Sequence, residues 1–238
     1  MTTLAQVKRT IKPLLDRNPD LALVGRWIIV KPVRHIVRGI LIDRTSQADQ
    51  FSPQWAVMHL FEPRHTIFLS WGSMRMPPHL FYPEEGLWKW SLSQVENTLL
   101  TLLEQEALPK LRSIQTIQNL IQMLIELNRS RFSPDAPPLP PFHRDTLTKI
   151  IFDVALGDLE SGTSLCAKPI LAWNSNDGTW DESGKARLCR AQQLCRLLAA
   201  DDRAGMAALL HEWEAQTVRN LKIEHLWERT PFPLELIA

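Results

Sequence analysis

Six residues between positions 71 and 90 are the main candidates for chemistry in this chain, and the chemistry they suggest is binding. They are Trp71, Arg75, His79, Tyr82, Trp88 and Trp90. The surrounding segment mixes aromatic residues, prolines and methionines without a helix or strand period. Trp, Tyr and Arg dominate the hot spots of protein interfaces, so these residues could contact a partner.

The same segment has a second interpretation, in which it lies over the open face of its own sheet. Its tryptophans would then complete the core, and its prolines would reduce the entropy lost on folding. This covering loop is the arrangement we favour on general grounds. In a mixed arrangement, Trp71 and Trp88 are buried while Arg75, His79 and Tyr82 face a cleft.

Two histidines on predicted strands, His35 and His59, could bind a metal ion or transfer protons. An antiparallel pairing with its loop centred near residue 48 places His59 opposite about Arg38 rather than opposite His35. No third ligand is evident. We therefore interpret both histidines as hydrogen-bonded residues of the core or the sheet edge.

Two short polar clusters could also support acid–base chemistry. Glu62, Arg64 and His65 occur in the stretch "HLFEPRHTI", which we predict to be a surface turn without a nucleophile. His211 and Glu214 are three residues apart on a predicted helix that lacks the second histidine of a helical zinc site. We expect this pair to lie on a solvated helix face.

Several catalytic and cofactor-binding motifs are missing from the sequence. There is no glycine-rich phosphate loop followed by Lys-Ser or Lys-Thr, no G-x-G-x-x-G after a strand and no G-x-S-x-G elbow. The chain has only nine glycines, which disfavours nucleotide cradles built on glycine. We predict no catalytic residues, no metal site and no cofactor.

The elements that would position these residues begin with a helix over residues 3–16, where apolar residues recur at spacings of three and four. Residues 33–43, 54–62 and 65–71 have the composition of three strands and predict an antiparallel meander. Helices dominate afterwards, and Ser91/Gln94 and Ser93/Glu96 have the spacing of capping boxes. We also expect the apolar C-terminus, residues 228–238, to pack onto the body of the protein.

The order of these elements predicts an α+β protein, with a leading helix and meander followed by an α-helical region. Residues 130–142 contain five prolines and should be extended and stiff. We predict an α+β domain over 1–129, a Pro-rich linker over 130–142 and a helical subdomain over 143–238. A long connection wrapped over one compact domain is the alternative.

Composition restricts the classes of function. The formal net charge is +1, whereas nucleic-acid-binding proteins usually carry a basic excess. A stripe formed by Arg26, Lys31, Arg34, Arg38 and Arg44 is the only nucleic-acid candidate we identify. The three cysteines predict no disulfide framework and favour a reducing, cytoplasmic compartment. We find neither a signal peptide nor an apolar run long enough to cross a membrane.

A resemblance rests on the leading helix, a meander that begins near "GRW", the strand end "FLSWG", the "W-x-W" entry into a helix and "ALPKLRSIQTI". This pattern resembles uncharacterised bacterial families with a domain of unknown function, some of them encoded near polymorphic toxin systems as candidate immunity proteins. The resemblance covers residues 4–127. It implies an α+β domain that binds another protein.

We therefore predict a cytoplasmic protein-binding module. If it is an immunity-type protein, it neutralises a toxin by occlusion. The alternative is a small hydrolase-like enzyme with a pocket between the sheet and the 71–90 loop, in which His65 or His79 acts as acid–base. The predicted partner is another protein, and neither a membrane nor a nucleic acid.

Overall fold

A computed structural model describes residues 2–69, 72–132, 138–168 and 181–237. It contains an antiparallel sheet in the order β1-β2-β3-β4-β5, with β6 pairing with β4 beyond this path. The strands are β1 (Leu21–Val24), β2 (Trp27–Val30), β3 (Ile36–Arg44), β4 (Gln50–His59), β5 (Ser73–Arg75) and β6 (Trp88–Lys89).

Helices precede and follow this sheet. They are α1 (Leu4–Arg17), α2 (Val95–Leu102), α3 (Leu108–Ser113), α4 (Ile117–Phe132), α5 (Thr146–Leu156), α6 (Leu159–Cys166), α7 (Glu182–Ala199), α8 (Arg203–Leu221) and α9 (Pro233–Leu236). A π-helical segment, Leu103–Ala107, joins α2 to α3. The predicted α+β class, with its leading helix and helical C-terminal region, is confirmed.

The long pair β3–β4 forms the centre of the sheet, because β-branched and aromatic residues fit a pleated, buried surface. His59 lies opposite Ile36, and Arg38 lies opposite Val57. The expectation that His59 would not face His35 is confirmed, although its register is shifted by two residues. The strand predicted over 33–43 corresponds to β3, and two further strands, β1 and β2, precede it. Gly25 adopts a positive φ of 61° in the turn between β1 and β2.

Both faces of the sheet are covered, because alternate residues of a strand point to opposite sides. On one side Ile36, Ile40 and Ile42 join a hydrophobic cluster with α1 and the later helices. On the other side Val37 packs in a separate cluster with Val218 from the end of α8. The first cluster contains side chains from both sides of residues 130–142. The division of the chain at that segment stays a prediction, and residues 133–137 lie outside the described part.

Two local predictions are wrong. Residues 65–69 form no strand, and the next pairing strand begins at Ser73; residues 70 and 71 are not described. Neither capping box forms, since α2 begins at Val95 after Gln94, which has a left-handed backbone and no capping hydrogen bond. In contrast, Asp202 caps α8 by accepting from the backbone N–H of Gly205.

The cysteine prediction is also wrong for one pair. Cys166 at the end of α6 forms a disulfide with Cys195 in α7, while Cys189 is free and exposed. Sequence spacing could not identify this pair, because the helices are brought together by their apolar faces. The structure therefore removes the cysteine argument for a reducing compartment.

The C-terminal segment packs onto the body as predicted, with Phe232 and Leu234 buried. Phe232 stacks on His35, with ring centroids 4.0 Å apart. Among the described helices, none is both long enough and apolar enough to span a membrane.

Candidate functional site

The two described tryptophans of the predicted binding segment are engaged within the protein. Trp88 is 1% exposed, and its indole N–H donates to the carbonyl of Met76 at 2.8 Å. Trp90 is half-buried, stacks on Phe51 at 4.0 Å and donates to the Thr2 hydroxyl. Both indoles therefore contact side chains of their own chain, as the covering-loop interpretation expects.

The other predicted binding residues lie in different environments. Arg75 and His79 are exposed, and Tyr82 is half-buried with its hydroxyl donating to the carbonyl of Ser93. Trp71 lies outside the described residues. A binding role for the exposed members stays a prediction.

A cluster of charged residues surrounds Glu62, which follows the end of β4. The expectation of a surface turn is wrong, because Glu62 is 0% exposed. The hydroxyl of Thr217 in α8 donates to the Glu62 carbonyl at 3.0 Å and accepts from the backbone N–H of Arg64 at 3.2 Å. Asn220 of the same helix donates to the Arg64 carbonyl. Helix α8 therefore covers the turn, which sequence periodicity could not show.

Three arginines and a histidine meet the Glu62 carboxylate. Arg64 Nη2 lies 2.6 Å from Oε2, and Arg187 Nε lies 3.3 Å from Oε1. Arg190 Nη2 is further away, at 3.9 Å from Oε1. His59 Nε2 lies 3.3 Å from Oε2. Because an ionised carboxylate only accepts hydrogen bonds, His59 Nε2 carries the hydrogen of this contact.

These partners keep Glu62 ionised. Burial acts to raise the pKa of Glu62, but the hydrogen bond from His59 and the charges of His59, Arg64 and Arg187 outweigh burial and lower the pKa to about 2. Glu62 is thus a fixed negative charge at neutral pH. It has no role as a proton donor there.

A second carboxylate orients Arg187. Asp145 caps α5 by accepting from the backbone N–H of Thr148. Arg187 Nη2 donates to Asp145 Oδ2 at 2.5 Å and to the Thr148 hydroxyl at 2.7 Å. The guanidinium of Arg187 is therefore held between the start of α5 and the end of β4.

Four residues of this cluster, His59, Arg64, Asp145 and Arg187, form one wall of a cleft of about 230 Å³. The polar lining consists of His59, Arg64, Asp145, Ser183 and Arg187. The apolar lining is supplied by Val57, Met58, Phe68, Leu120 and Leu124. Gly72 also lines the cleft, and a Cβ there would lie 2.2 Å from the Val57 carbonyl oxygen, so only glycine permits this approach.

The charges at the cleft do not balance. Three guanidinium groups, those of Arg64, Arg187 and Arg190, face the two carboxylates of Glu62 and Asp145. Among the described residues of this cluster, one positive charge remains even with His59 neutral. In addition, Nε of Arg64 and Nε of Arg190 are buried without a hydrogen-bond partner in the described structure, and of these two residues only Arg64 lines the cleft. Unpaired buried donors are costly, which makes this wall suited to an anionic ligand.

The rim of the cleft is apolar and exposed. Phe68 lies under the guanidinium of Arg64, with the Arg64 Cζ 4.6 Å from the ring centroid. Phe68 is 40% exposed and its neighbour Leu69 is 39% exposed. The cleft thus combines a cationic wall with an apolar edge.

A second buried polar network lies at the C-terminal end. The prediction of a solvated face for His211 and Glu214 is wrong, since both are buried. Glu214 faces His35 Nδ1 at 3.2 Å and His211 Nδ1 at 3.7 Å, while His211 Nε2 contacts Glu235 at 2.8 Å. The C-terminal segment covers this helix face, and helical periodicity carries no information about that segment.

The residues proposed for the enzyme alternative do not line the cleft. His65 and His79 are both exposed, whereas the cleft histidine is His59, which is already bonded to Glu62. Within the described residues, no group of three or more His, Cys, Asp or Glu side chains is arranged to hold a metal ion.

Sequence reasoning identified Glu62, Arg64 and His59 as polar residues but missed Asp145 and Arg187 as their partners. Arg187 is 125 residues from Glu62. It flanks the buried stripe of α7 next to Leu188, as many helix-surface arginines do. Nothing in its local pattern distinguishes it.

Comparisons with protein-family models, with curated proteins and with solved structures found no match to this chain.

Proposed function

We propose that the protein is a protein-binding module whose arginine-lined cleft holds an acidic residue of a partner segment. The observation that carries this proposal is the surplus positive charge around Glu62 together with the buried, unpaired Nε of Arg64, a residue that lines the cleft. A carboxylate from a partner would supply the missing negative charge and an acceptor for Arg64. Charge-assisted hydrogen bonds of this kind are about twice as strong as neutral ones.

The dimensions of the cleft favour a peptide segment over a cofactor. Its volume of about 230 Å³ is below the roughly 300–1,000 Å³ of small-molecule pockets. The exposed Phe68 and Leu69 extend the contact surface beyond the cleft. An acidic side chain flanked by apolar residues therefore matches the wall and the rim together, and Arg with aromatic residues is a typical hot-spot composition.

Neutralising a toxin by occlusion is one form of such binding, and the family resemblance is the ground for proposing it. The exposed Arg75 and His79 could extend the interface along the 72–89 segment. The cytoplasmic location also stays a proposal. The Cys166–Cys195 disulfide does not support it, since disulfides persist mainly in oxidising compartments.

A peptide-display selection on the immobilised protein tests the proposal. We expect the selected peptides to share an Asp or Glu next to an aliphatic or aromatic residue. Ser183 lines the cleft near the start of α7 and is exposed, so Ser183→Phe should fill the cleft without disturbing the buried ions. The affinity of Ser183→Phe for the selected peptides should fall at least about tenfold, which is a loss of about 1.4 kcal/mol.

Ser164→Phe is the matched control, because Ser164 is exposed on α6 and does not line this cleft. It should bind the peptides as the wild type does. Selected peptides without an acidic residue, or equal binding by Ser183→Phe, would overturn the proposal.

A further inference from the structure

A second cleft, of about 380 Å³, lies where the connection between β2 and β3 meets the junction of α3 and α4. Its charged lining consists of Asp20, Lys31, Arg34, Arg38 and Arg112. Its remaining lining is Val30, Pro32, Ile36, Ile114 and Gln115, with no aromatic side chain among these residues. This cleft shares no residue with the lining of the arginine-lined cleft described above.

One cation of this second cleft is already neutralised. Arg112 donates from Nε and Nη2 to the two carboxylate oxygens of Asp20, both at 2.8 Å, and from Nη2 to Asn18 Oδ1 at 2.7 Å. The hydrogen bond from Arg112 holds the pKa of Asp20 below its ordinary value. Asp20 and Arg112 therefore form a hydrogen-bonded ion pair with no net charge, although the charge of Asp20 still acts on Lys31 and Arg38.

Arg38 is buried without a counter-ion. Arg38 is 8% exposed, and its guanidinium donates to two backbone carbonyls, those of Ile114 at 3.1 Å and Pro32 at 2.9 Å. No described carboxylate lies within ion-pair distance of it. Burial, followed by the charge of Arg34, lowers the pKa of Arg38, and the charge of Asp20 opposes this change without cancelling it. A buried charge without a paired ion is strongly unfavourable, so a bound anion would relieve this site.

Two further cations stand at the mouth of the second cleft. Lys31 forms no ion pair with any described residue. Arg34 Nη2 lies 3.4 Å from Glu228 Oε2, but both side chains are at least half exposed, and such pairs contribute little. Lys31, Arg34 and Arg38 thus line one cleft, where among the described residues Asp20, which is already paired with Arg112, and the exposed Glu228 oppose their charge.

We propose that the second cleft binds a small polyanion with linked phosphoryl groups, of the chemical class of pyrophosphate. Planar guanidinium groups match phosphate oxygens in bidentate geometry, and a lysine adds a point charge. Three convergent cations exceed what a single carboxylate needs.

The position of the other basic residues favours a free phosphate compound over a nucleic-acid strand. Arg26 pairs with Asp43 at 3.0 Å, and Arg44 lies at the far end of β3 from Arg38, so the predicted stripe is interrupted. The second cleft also offers no described aromatic surface on which a base could stack.

Titration calorimetry and thermal melts with sodium pyrophosphate test this site, with sodium chloride at equal ionic strength as the reference. We expect specific binding that raises the melting temperature. The double substitution Lys31→Ala/Arg34→Ala should weaken binding at least about tenfold, because two of three phosphate contacts are lost. The matched control Lys8→Ala/Arg44→Ala removes two exposed cations elsewhere and should bind as the wild type does.

Arg38→Met provides a second, independent readout. Without ligand this variant should melt at or above the wild-type temperature, because it removes an uncompensated buried charge. It should also lose the pyrophosphate-induced rise. The proposal is overturned by pyrophosphate having no effect beyond chloride, by Lys31→Ala/Arg34→Ala binding as its control does, or by a single-stranded oligonucleotide binding this site when pyrophosphate does not.

Discussion

At the scale of single residues, Glu62 is the side chain on which the arginine-lined cleft depends. It is fully buried and is the shared anion of Arg64, Arg187 and Arg190. These cations and His59 keep the Glu62 carboxylate ionised. We infer that this internal carboxylate holds Arg64 and Arg187 in the positions from which they line the cleft.

Replacing Glu62 by Gln tests that dependence. The change preserves shape but leaves the three arginines with Asp145 alone, and breaking a buried ion pair costs about 3–5 kcal/mol. We expect urea unfolding at pH 7 to show a loss of stability of that size. Asp16→Asn is the control, because its pair with Lys12 is exposed and should change stability by less than about 1 kcal/mol.

The pH dependence of this effect has a defined sign. The folded-state pKa of Glu62 is lowered from 4.5 to about 2. Its contribution is therefore fully present above pH 4.5 and is lost as the pH falls towards 2. The difference between the wild type and Glu62→Gln should shrink over that range, and a difference that is small at pH 7 or independent of pH would contradict the account.

At the scale of elements, the sequence predicts local periodicity well and contacts between distant segments poorly. The stripe Val7, Ile11 and Leu14 predicts α1, and these residues are 0% exposed. The pairing of β3 with β4 follows from their composition and the loop between them. In the strand expected over 65–71, the described residues 65–69 form no strand, and the apolar Phe68 and Leu69 are exposed beside a cleft.

The candidate site shows the same division. His59, Glu62 and Arg64 are close in sequence, so their proximity is predictable. Their burial depends on Thr217 of α8, and their charge balance depends on Arg187 of α7. Neither partner has a local pattern that points to the turn after β4, since tertiary packing brings them together. The six binding residues predicted from composition include Trp88, which is buried in the core.

The packing of α9 against α8 should depend on pH, because His211 of α8 contacts Glu235 of α9. The polar contact with Glu214, opposed by burial, and the hydrogen bond with Glu235 raise the pKa of His211 above 6.5. This contribution is complete below pH 6.5 and is lost as the pH rises through the raised value. Burial acts to raise the pKa of Glu235, but the backbone hydrogen bond from Phe232 and the contact with His211 outweigh burial and lower this pKa below 4.5. Its contribution is lost as the pH falls below 4.5.

The variant His211→Gln tests the contribution of this contact to stability between pH 4.5 and 6.5. Hydrogen bonds to charged groups contribute about 1.5–3 kcal/mol, so the variant should lose stability of that order between pH 4.5 and 6.5. The loss should diminish as the pH rises further. His225→Gln is the control, because His225 is exposed. Equal pH profiles for the wild type and His211→Gln would contradict the assignment of this contact.

At the scale of the whole molecule, the sheet is covered on both faces, and its two clefts lie at different places along β3 and β4. Ile36 and Arg38 of β3 line the second cleft, whereas Val57, Met58 and His59 of β4 line the arginine-lined cleft. Since the two linings share no residue, the two proposed ligands should bind independently. The net charge of +1 conceals both basic clefts, because exposed carboxylates elsewhere balance them.

The most direct test of the central claim is an NMR titration with a selected acidic peptide that follows the arginine side-chain Nε–H signals. The account predicts that the signals of Arg64 and Arg187 shift on binding, while that of Arg112, which is paired with Asp20 in the other cleft, stays in place. Binding of the peptide with the Arg64 and Arg187 signals unchanged would contradict the account.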